Sequence, residues 1–374
     1  MIYLYFLITF SLIIYFITLC LFIIGLLKKP YKTSKSKKII NVSVIICVKN
    51  GQNSILNIIS DLKNQTYKDN VEFIIVDDMS MDSTKNMILN NIKDDVRFKY
   101  ISSNFGNKKL SHKKRAIDAG IEHSEYDYLL FTDVDCRLNN KWIESMMKHY
   151  QYNIDYIVGC SIINKPNTLV SFFQRLDYYM LMISSFSACN LGIPLACTGQ
   201  NQSYKKSLYK SIKGFSKIEG LLQGDDSIFL QLLRKNSKLN VVFSSNCDSH
   251  VRAKAHHNWK DLLLQRMRWA GDANIMWKYN KLFFIIILAT FLSNLFFIVS
   301  PIIIFSSFNL ILILLFVKFL LEFILYFAGM KKINQKLNLI QFVYWFVLQI
   351  PYVVLIGILS FFAPILSWRG RSAN

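Results

Sequence analysis

Two long apolar blocks, residues 1–27 and 282–368, bracket a mixed middle segment, and this bracketing limits what the chain can fold into. A bilayer core takes roughly 20 apolar residues per helix, so the first block supplies one span. It has no basic stretch ahead of its apolar run and no small-residue cleavage site, and it reads as a retained anchor, not a removed leader. Polar breaks at residues 306–309 and 329–338 divide the second block and predict spans at 282–305, 310–327 and 340–361. Pro351 and Pro364 allow the last of these to kink, break or lie partly in the interface. The expected organisation is a transmembrane helix at 1–27, a basic linker at 28–41, an α/β domain with interfacial helices at 42–280, a membrane region of about three spans at 281–368, and a basic tail at 369–374.

Lys28, Lys29, Lys32, Lys35, Lys37 and Lys38 sit at or just past the end of the first block, and short loops rich in Lys and Arg stay cytoplasmic. The middle segment is therefore expected in the cytosol, with the plasma membrane as the expected location. Lys331, Lys332 and Lys336 agree with that orientation, whereas Arg369 and Arg371 fall outside in a plain four-span arrangement. The formal charge is +20, but the basic residues bracket the spans and intersperse with Asn and Ser. Membrane lipid headgroups are the more economical partner, and nucleic acid is not expected. The seven cysteines form no CxxC pair and have no zinc-type His spacing, which reads as reduced thiols in a cytosolic domain. Asn41-Val42-Ser43 and Asn64-Gln65-Thr66 match the glycosylation acceptor pattern and would be inert there.

Within the middle segment, residues 42–48, 71–76 and 128–132 are short apolar runs, the first two rich in β-branched residues. Ile55, Ile58, Ile59 and Leu62 recur at helical spacing after the first run, and residues 116–121 open a helical stretch before the third. Alternating strands and helices imply βαβ units and a largely parallel sheet, with ligands beyond the carboxyl ends of the strands. Asp77-Asp78 and Asp133-Val134-Asp135 follow two of these strands directly. Aspartate also ends strands and caps helices, and that plainer role stays open for Asp82. Two carboxylates two residues apart repel unless something cationic lies between them; Mg²⁺ or Mn²⁺ chelating a diphosphate is the usual solution.

Residues 42–50, 72–84 and 131–136, followed by Thr198-Gly199-Gln200-Asn201, Gly224-Asp225-Asp226 and Gln265-Arg266-Met267-Arg268-Trp269, together resemble family 2 glycosyltransferases of the GT-A fold. The likeness covers residues 42–269 and the plan of flanking spans. It implies an inverting, hexosyl-transferring enzyme that uses a nucleotide-diphosphate sugar, with UDP-sugars favoured. On this resemblance Asp78 contacts the nucleoside with Asp77 beside it, and residues 48–50 border the same nucleotide. Asp133 and Asp135 resemble the metal-binding DxD pair, Asp135 being the more direct ligand. His112-Lys113-Lys114-Arg115 is similar to the family's glycine-lysine helix start, with His112 where glycine is common; Lys113 then faces the donor, with a solvated basic face as the alternative.

Asp226 resembles the catalytic base. The usual Thr-Glu-Asp triplet is Gly224-Asp225-Asp226 here, which leaves the choice between Asp225 and Asp226 open. Gln265, Arg268 and Trp269 match QxxRW and lie on one face of a helix, Arg268 suited to phosphate oxygens and Trp269 to a sugar face. The same stretch also reads as an amphipathic membrane-surface helix. Residues 171–186 suit an interfacial helix under the acceptor site. Adjacent His256 and His257 point apart and are expected to be structural, and Cys136 is expected to pack. A lipid-linked or glycan acceptor is expected. A processive polysaccharide synthase, an idle nucleotide-binding membrane scaffold and a transporter are the alternatives; the last has only Lys318 and Glu322, four apart, in its favour.

Overall fold

The computed structural model describes residues 2–28, 39–303 and 308–365. The basic residues Lys29, Lys32, Lys35, Lys37 and Lys38, the break expected at 306–309 up to residue 307, and Trp368, Arg369 and Arg371 lie outside the described residues. In chain order, α1 (Ile2–Leu27) precedes β1 (Val42–Val48), α2 (Ile55–Lys63), β2 (Val71–Asp77), α3 (Thr84–Ile92), β3 (Phe98–Ser102) and α4 (His112–Glu122). Next come β4 (Tyr128–Asp133), β5 (Arg137–Leu138), α5 (Trp142–Met147), β6 (Tyr156–Gly159), β7 (Ser161–Ile163) and α6 (Leu169–Asn190). They are followed by β8 (Gln202–Lys205), α7 (Lys206–Ser211), α8 (Ser227–Asn236), β9 (Val241–Ser244) and β10 (Val251–Ala253). The last elements are α9 (Trp259–Tyr279), α10 (Lys281–Ile303), α11 (Phe308–Lys332) and α12 (Leu339–Leu359).

The chain divides into two compact units that interleave along the sequence, Met1–Lys29, Lys165–Leu191 and Ala255–Asn374 in one, Pro30–Asn164 and Gly192–Lys254 in the other. The second is the α/β unit. Its main sheet has seven strands in the order β3-β2-β1-β4-β8-β6-β9. All neighbours pair parallel except β8, which runs antiparallel to both β4 and β6. A GT-A-like, mostly parallel α/β sheet is thus present. β1 is central and almost wholly buried, which is why it reads as a continuous apolar run without alternation. The register sets Val48 beside Asp77 and Cys47 beside Asp133, so the acids that end β2 and β4 flank the carboxyl end of β1. An aromatic core lies behind them: Tyr204 stacks on Phe131 at 4.7 Å between ring centres, and Phe229 of α8 lies 5.1 Å from Tyr204. β5, β10 and β7 form a smaller sheet.

Among the described residues the other unit contains four helices long and apolar enough to cross a membrane, at Phe6–Leu27, Lys281–Pro301, Phe308–Lys332 and Leu339–Phe362. α11 continues to Lys332, past the expected end at 327, because Lys331 and Lys332 in its last turn complement the negative end of the helix dipole. Pro351 interrupts nothing: it lies inside α12, as Pro301 lies inside α10. Lys318 and Glu322 do pair, at 2.5 Å, with both side chains buried. Tyr15 of α1 donates to Glu322, and Gln349 of α12 donates to its other oxygen at 3.2 Å. A buried pair with this many partners ties three apolar helices together, which accounts for it without transport.

Gly120 faces the sheet from α4. A Cβ there would lie 2.6 Å from Ile45 Cγ2 and 3.1 Å from Val76 Cγ2. Glycine to alanine inside a helix ordinarily stabilises by about 0.5–1 kcal/mol, but overpacking costs about 1–3 kcal/mol. Gly120→Ala is therefore expected to lower the thermal unfolding midpoint in detergent; an unchanged or higher midpoint would show that α4 shifts freely on β1.

Candidate active site

The loops that leave β1 and β2 are joined by reciprocal hydrogen bonds. Ser80 Oγ accepts from the Asn50 amide at 2.9 Å, and Asn50 Oδ1 accepts from the Met81 amide at 2.8 Å. Asn50 and Met79 both adopt positive φ, 50° and 56°, to make this turn. Asp77 is buried and accepts from the Ser80 amide at 3.1 Å and from Tyr100 Oη at 3.0 Å. Asp78, also buried, accepts from Ser103 Oγ at 2.9 Å. Asp82 accepts from both the amide and the hydroxyl of Thr84 at the start of α3 and from the Gln52 amide at 3.2 Å, so its observed contacts are those of a loop anchor.

A second group forms around the start of α4. Lys113 Nζ lies 2.9 Å from Asp133 Oδ1 and 3.3 Å from Asp225 Oδ2. Burial opposes the ammonium, but Asp133 and Asp225 outweigh it and hold Lys113 charged well above its usual range. The helix enters on His112 at φ 54°, a left-handed conformation that favours glycine, which gives the departure at this position a measurable backbone consequence. Of the two expectations for Lys113, the solvated basic face does not hold: the side chain is only 26% exposed and ion-paired. Asp135 is half-buried, one turn of loop beyond Asp133.

Asp226 caps α8, its Oδ1 accepting from the Ser227 amide at 2.5 Å while Oδ2 accepts from the Gly199 amide at 3.2 Å. Burial and the adjacent Asp225 push its carboxyl up to about 6, against the pull of those two amides and Lys113. Gly199 leaves room for this approach: a Cβ there would lie 2.9 Å from the flexible tip of Lys113, at Nζ, and 3.4 Å from Asp225 Oδ2. Asn201 secures the same loop from below. Its Nδ2 donates to the Cys160 and Ser249 carbonyls at 2.8 and 2.9 Å, and its Oδ1 accepts from Trp142 Nε1 at 3.1 Å. Asp133, Asp225, Asp226 and Lys113 are thus gathered at one end of the sheet. Gly199 and Asn201 have supporting roles there that their place in a motif did not specify.

Gln265, Arg268 and Trp269 lie on α9 in the other unit and are half-buried. The buried arginine of that motif is Arg266, at one of its unspecified positions. Arg266 pairs with Asp177 of α6 at 2.8 Å and lies 4.3 Å from the centre of the Trp269 ring. Burial raises the Asp177 carboxyl, against the pull of Arg266. A hydrophilic partner on α6, four residues after Phe173 and next to Tyr178, was the one signal that could have singled Arg266 out.

Cys136 is buried and its thiol is pushed up by burial, consistent with packing. The His257 ring lies 3.1 Å from Asn167 Oδ1, and the His256 amide donates to Gln174. Among the described residues no three His, Cys, Asp or Glu side chains cluster as a self-sufficient metal cage. Asp133 and Asp135 are hard oxygen donors, and such a pair fits a hard cation whose remaining ligands come from water or phosphate oxygens.

The chain matches the family profile described as glycosyl transferase family 2 over residues 43–212 and that of glycosyl transferase family group 2 over residues 128–362. It is 29% identical over 134 residues to the GalNAc(5)-diNAcBac-PP-undecaprenol β-1,3-glucosyltransferase of Campylobacter jejuni, a match that spans 36% of this chain and 42% of that protein. It is 25% identical over 219 residues to an uncharacterized glycosyltransferase of Haemophilus influenzae, over 56% of this chain and 78% of that one. The mannosyltransferase PcManGT from Pyrobaculum calidifontis, solved with GDP-Man and Mn²⁺, superposes with a TM-score of 0.59 at 14% identity, over 96% of this chain and 97% of that one. With a profile that takes in more than half its length, this chain belongs to the family 2 glycosyltransferases.

Proposed function

We propose that this glycosyltransferase works at the cytosolic face of the plasma membrane, moving a sugar from a nucleotide-diphosphate donor to a lipid-linked or glycan acceptor with inversion at the anomeric carbon. The observation that carries this reading is the convergence of Asp133 and Asp225 on Lys113, with Asp226 alongside. It brings the acid expected at the donor diphosphate within one ammonium of the acids expected at the acceptor. Asp78 and Asp77 are assigned to the nucleoside end. Asp133 and Asp135 would hold Mg²⁺ or Mn²⁺, which supplies positive charge to the departing diphosphate. The lipid-linked acceptor draws support from the undecaprenol-linked substrate in the name of the Campylobacter relative, and from the four apolar helices. UDP-sugars are the donors favoured here, while the Pyrobaculum neighbour was solved with a GDP-sugar.

The acceptor hydroxyl oxygen forms the new bond to the anomeric carbon as the bond from that carbon to the diphosphate oxygen breaks, and Asp226 takes the hydroxyl proton. Asp226 suits this role better than Asp225, because Asp225 is committed to Lys113 and Asp226 has the raised affinity for a proton that a base near neutral pH needs. The roles of Gln265, Arg268 and Trp269 at the leaving group rest on their match to QxxRW.

Purified protein in detergent or nanodiscs, given UDP- and GDP-sugars with Mn²⁺ and a lipid extract, is expected to release nucleoside diphosphate from at least one donor. Asp133→Ala and Asp226→Asn are each expected to lower that rate by about 10²-fold or more; parental rates in both variants would sink the assignment.

The pH dependence has a definite sign. A base that must be ionised, with its carboxyl raised to about 6, is active above that value and loses activity as pH falls through it. The kcat/KM should therefore drop about tenfold per unit on the acid side. Asp225→Asn removes the like charge, so the acid limb should move to lower pH; a limb that stays in place or moves up would exclude Asp226 as the titrating group.

A further inference from the structure

Beside Lys113 stands a lysine that the chemistry above does not use. Lys114 is fully buried, and its ammonium donates to the backbone carbonyls of Ile218 and Leu221. Those carbonyls belong to the segment just ahead of Gly224-Asp225-Asp226. Its middle is otherwise open to solvent, with Glu219 and Gly220 both exposed. Nothing lies within 4 Å of where a Gly220 Cβ would be, and Gly224 turns at φ 103° immediately before the acids. Successive residues on a helix point about 100° apart. The first turn of α4 thus sends Lys113 to the carboxylates and Lys114 to the chain that delivers them.

Taking an ammonium out of water is costly unless its donors are met. If the loop swings away from α4 that ammonium loses both carbonyl acceptors, so these two hydrogen bonds favour the loop in one place. From this geometry we propose that Lys114 is a positioning residue, fixing residues 218–226 so that Asp226 stands at the acceptor oxygen while the donor end of the site is untouched. The proposal rests on the role assigned to Asp226 above. Its structural half, the tether itself, stands independently.

The test pairs kinetics with hydrogen–deuterium exchange on Lys114→Met in the full-length protein. The expected result is a kcat about tenfold or more below the parent with donor KM within about threefold, faster exchange confined to residues 216–226, and an acid limb of the pH profile displaced from that of the parent. Parental kcat, unchanged exchange in 216–226, or faster exchange throughout β1, β2 and β4 would each overturn it. Should Lys114→Met not fold, Lys114→Gln, a shorter neutral donor, is read by the same criteria with a smaller expected effect. A parent protein that transfers no sugar would count against the proposed function alone, since the exchange comparison still decides whether Lys114 tethers the loop.

Discussion

The carboxyl end of the sheet depends on charge balance more than on any single contact. Asp133, Asp225 and Asp226 are drawn together in a partly desolvated corner, where two like charges about 4 Å apart repel by about 4 kcal/mol at an effective dielectric near 20. Lys113 turns that repulsion into attraction by standing between the first two, at 2.9 and 3.3 Å. The balance is incomplete at Asp226, whose carboxyl stays raised because burial disfavours its charged form and the adjacent Asp225 adds a like charge. One acid is therefore held by a cation and the next is left poised near neutrality. Gly199 borders the same balance, with a Cβ there falling 2.9 Å from Lys113 Nζ.

The parts of this arrangement that were legible in the sequence are those whose signal is local. β1 and β2 announce themselves as buried β-branched runs and β4 as a short apolar one, and the acids that end β2 and β4 stand where parallel sheets present ligands. β3 and β8 left no such trace. β3 is an edge strand, mostly half-buried, with Lys99 and Ser102 in it. β8 reads Gln-Ser-Tyr-Lys, polar by composition yet buried, because Ser203 donates to the Leu129 carbonyl at 2.6 Å and Gln202 accepts from Tyr156. A strand whose polar side chains are satisfied by tertiary partners cannot be told from a loop by hydropathy.

Linear motifs were also silent on which member of a cationic pair is buried. Lys113 and Lys114 are adjacent and chemically identical, yet one neutralises carboxylates and the other holds backbone carbonyls. Arg266 and Arg268 differ by two positions on α9, and the one outside the motif pattern is the one sunk against Asp177 and Trp269. Direction on a helix is fixed by about 100° per residue, but what waits in that direction comes from elsewhere in the chain. His112 is the exception, since a side chain where glycine is common does predict its consequence, a residue held at φ 54°.

The apolar helices obey the same rule in a harsher solvent. Pro351 lies inside a helix that continues eight residues beyond it, so a residue that would end a helix in water is not a boundary marker there. Lys318 and Glu322, the ionisable pair within the span expected at 310–327, are buried and joined by Tyr15 and Gln349 into one connected set. Removing either charged member would leave the other unpaired in an apolar surround, and removing all would leave α1, α11 and α12 with apolar contacts that lipid tails supply equally well. Polar groups in these helices thus specify which helices adjoin, just as Lys113 specifies which acids do.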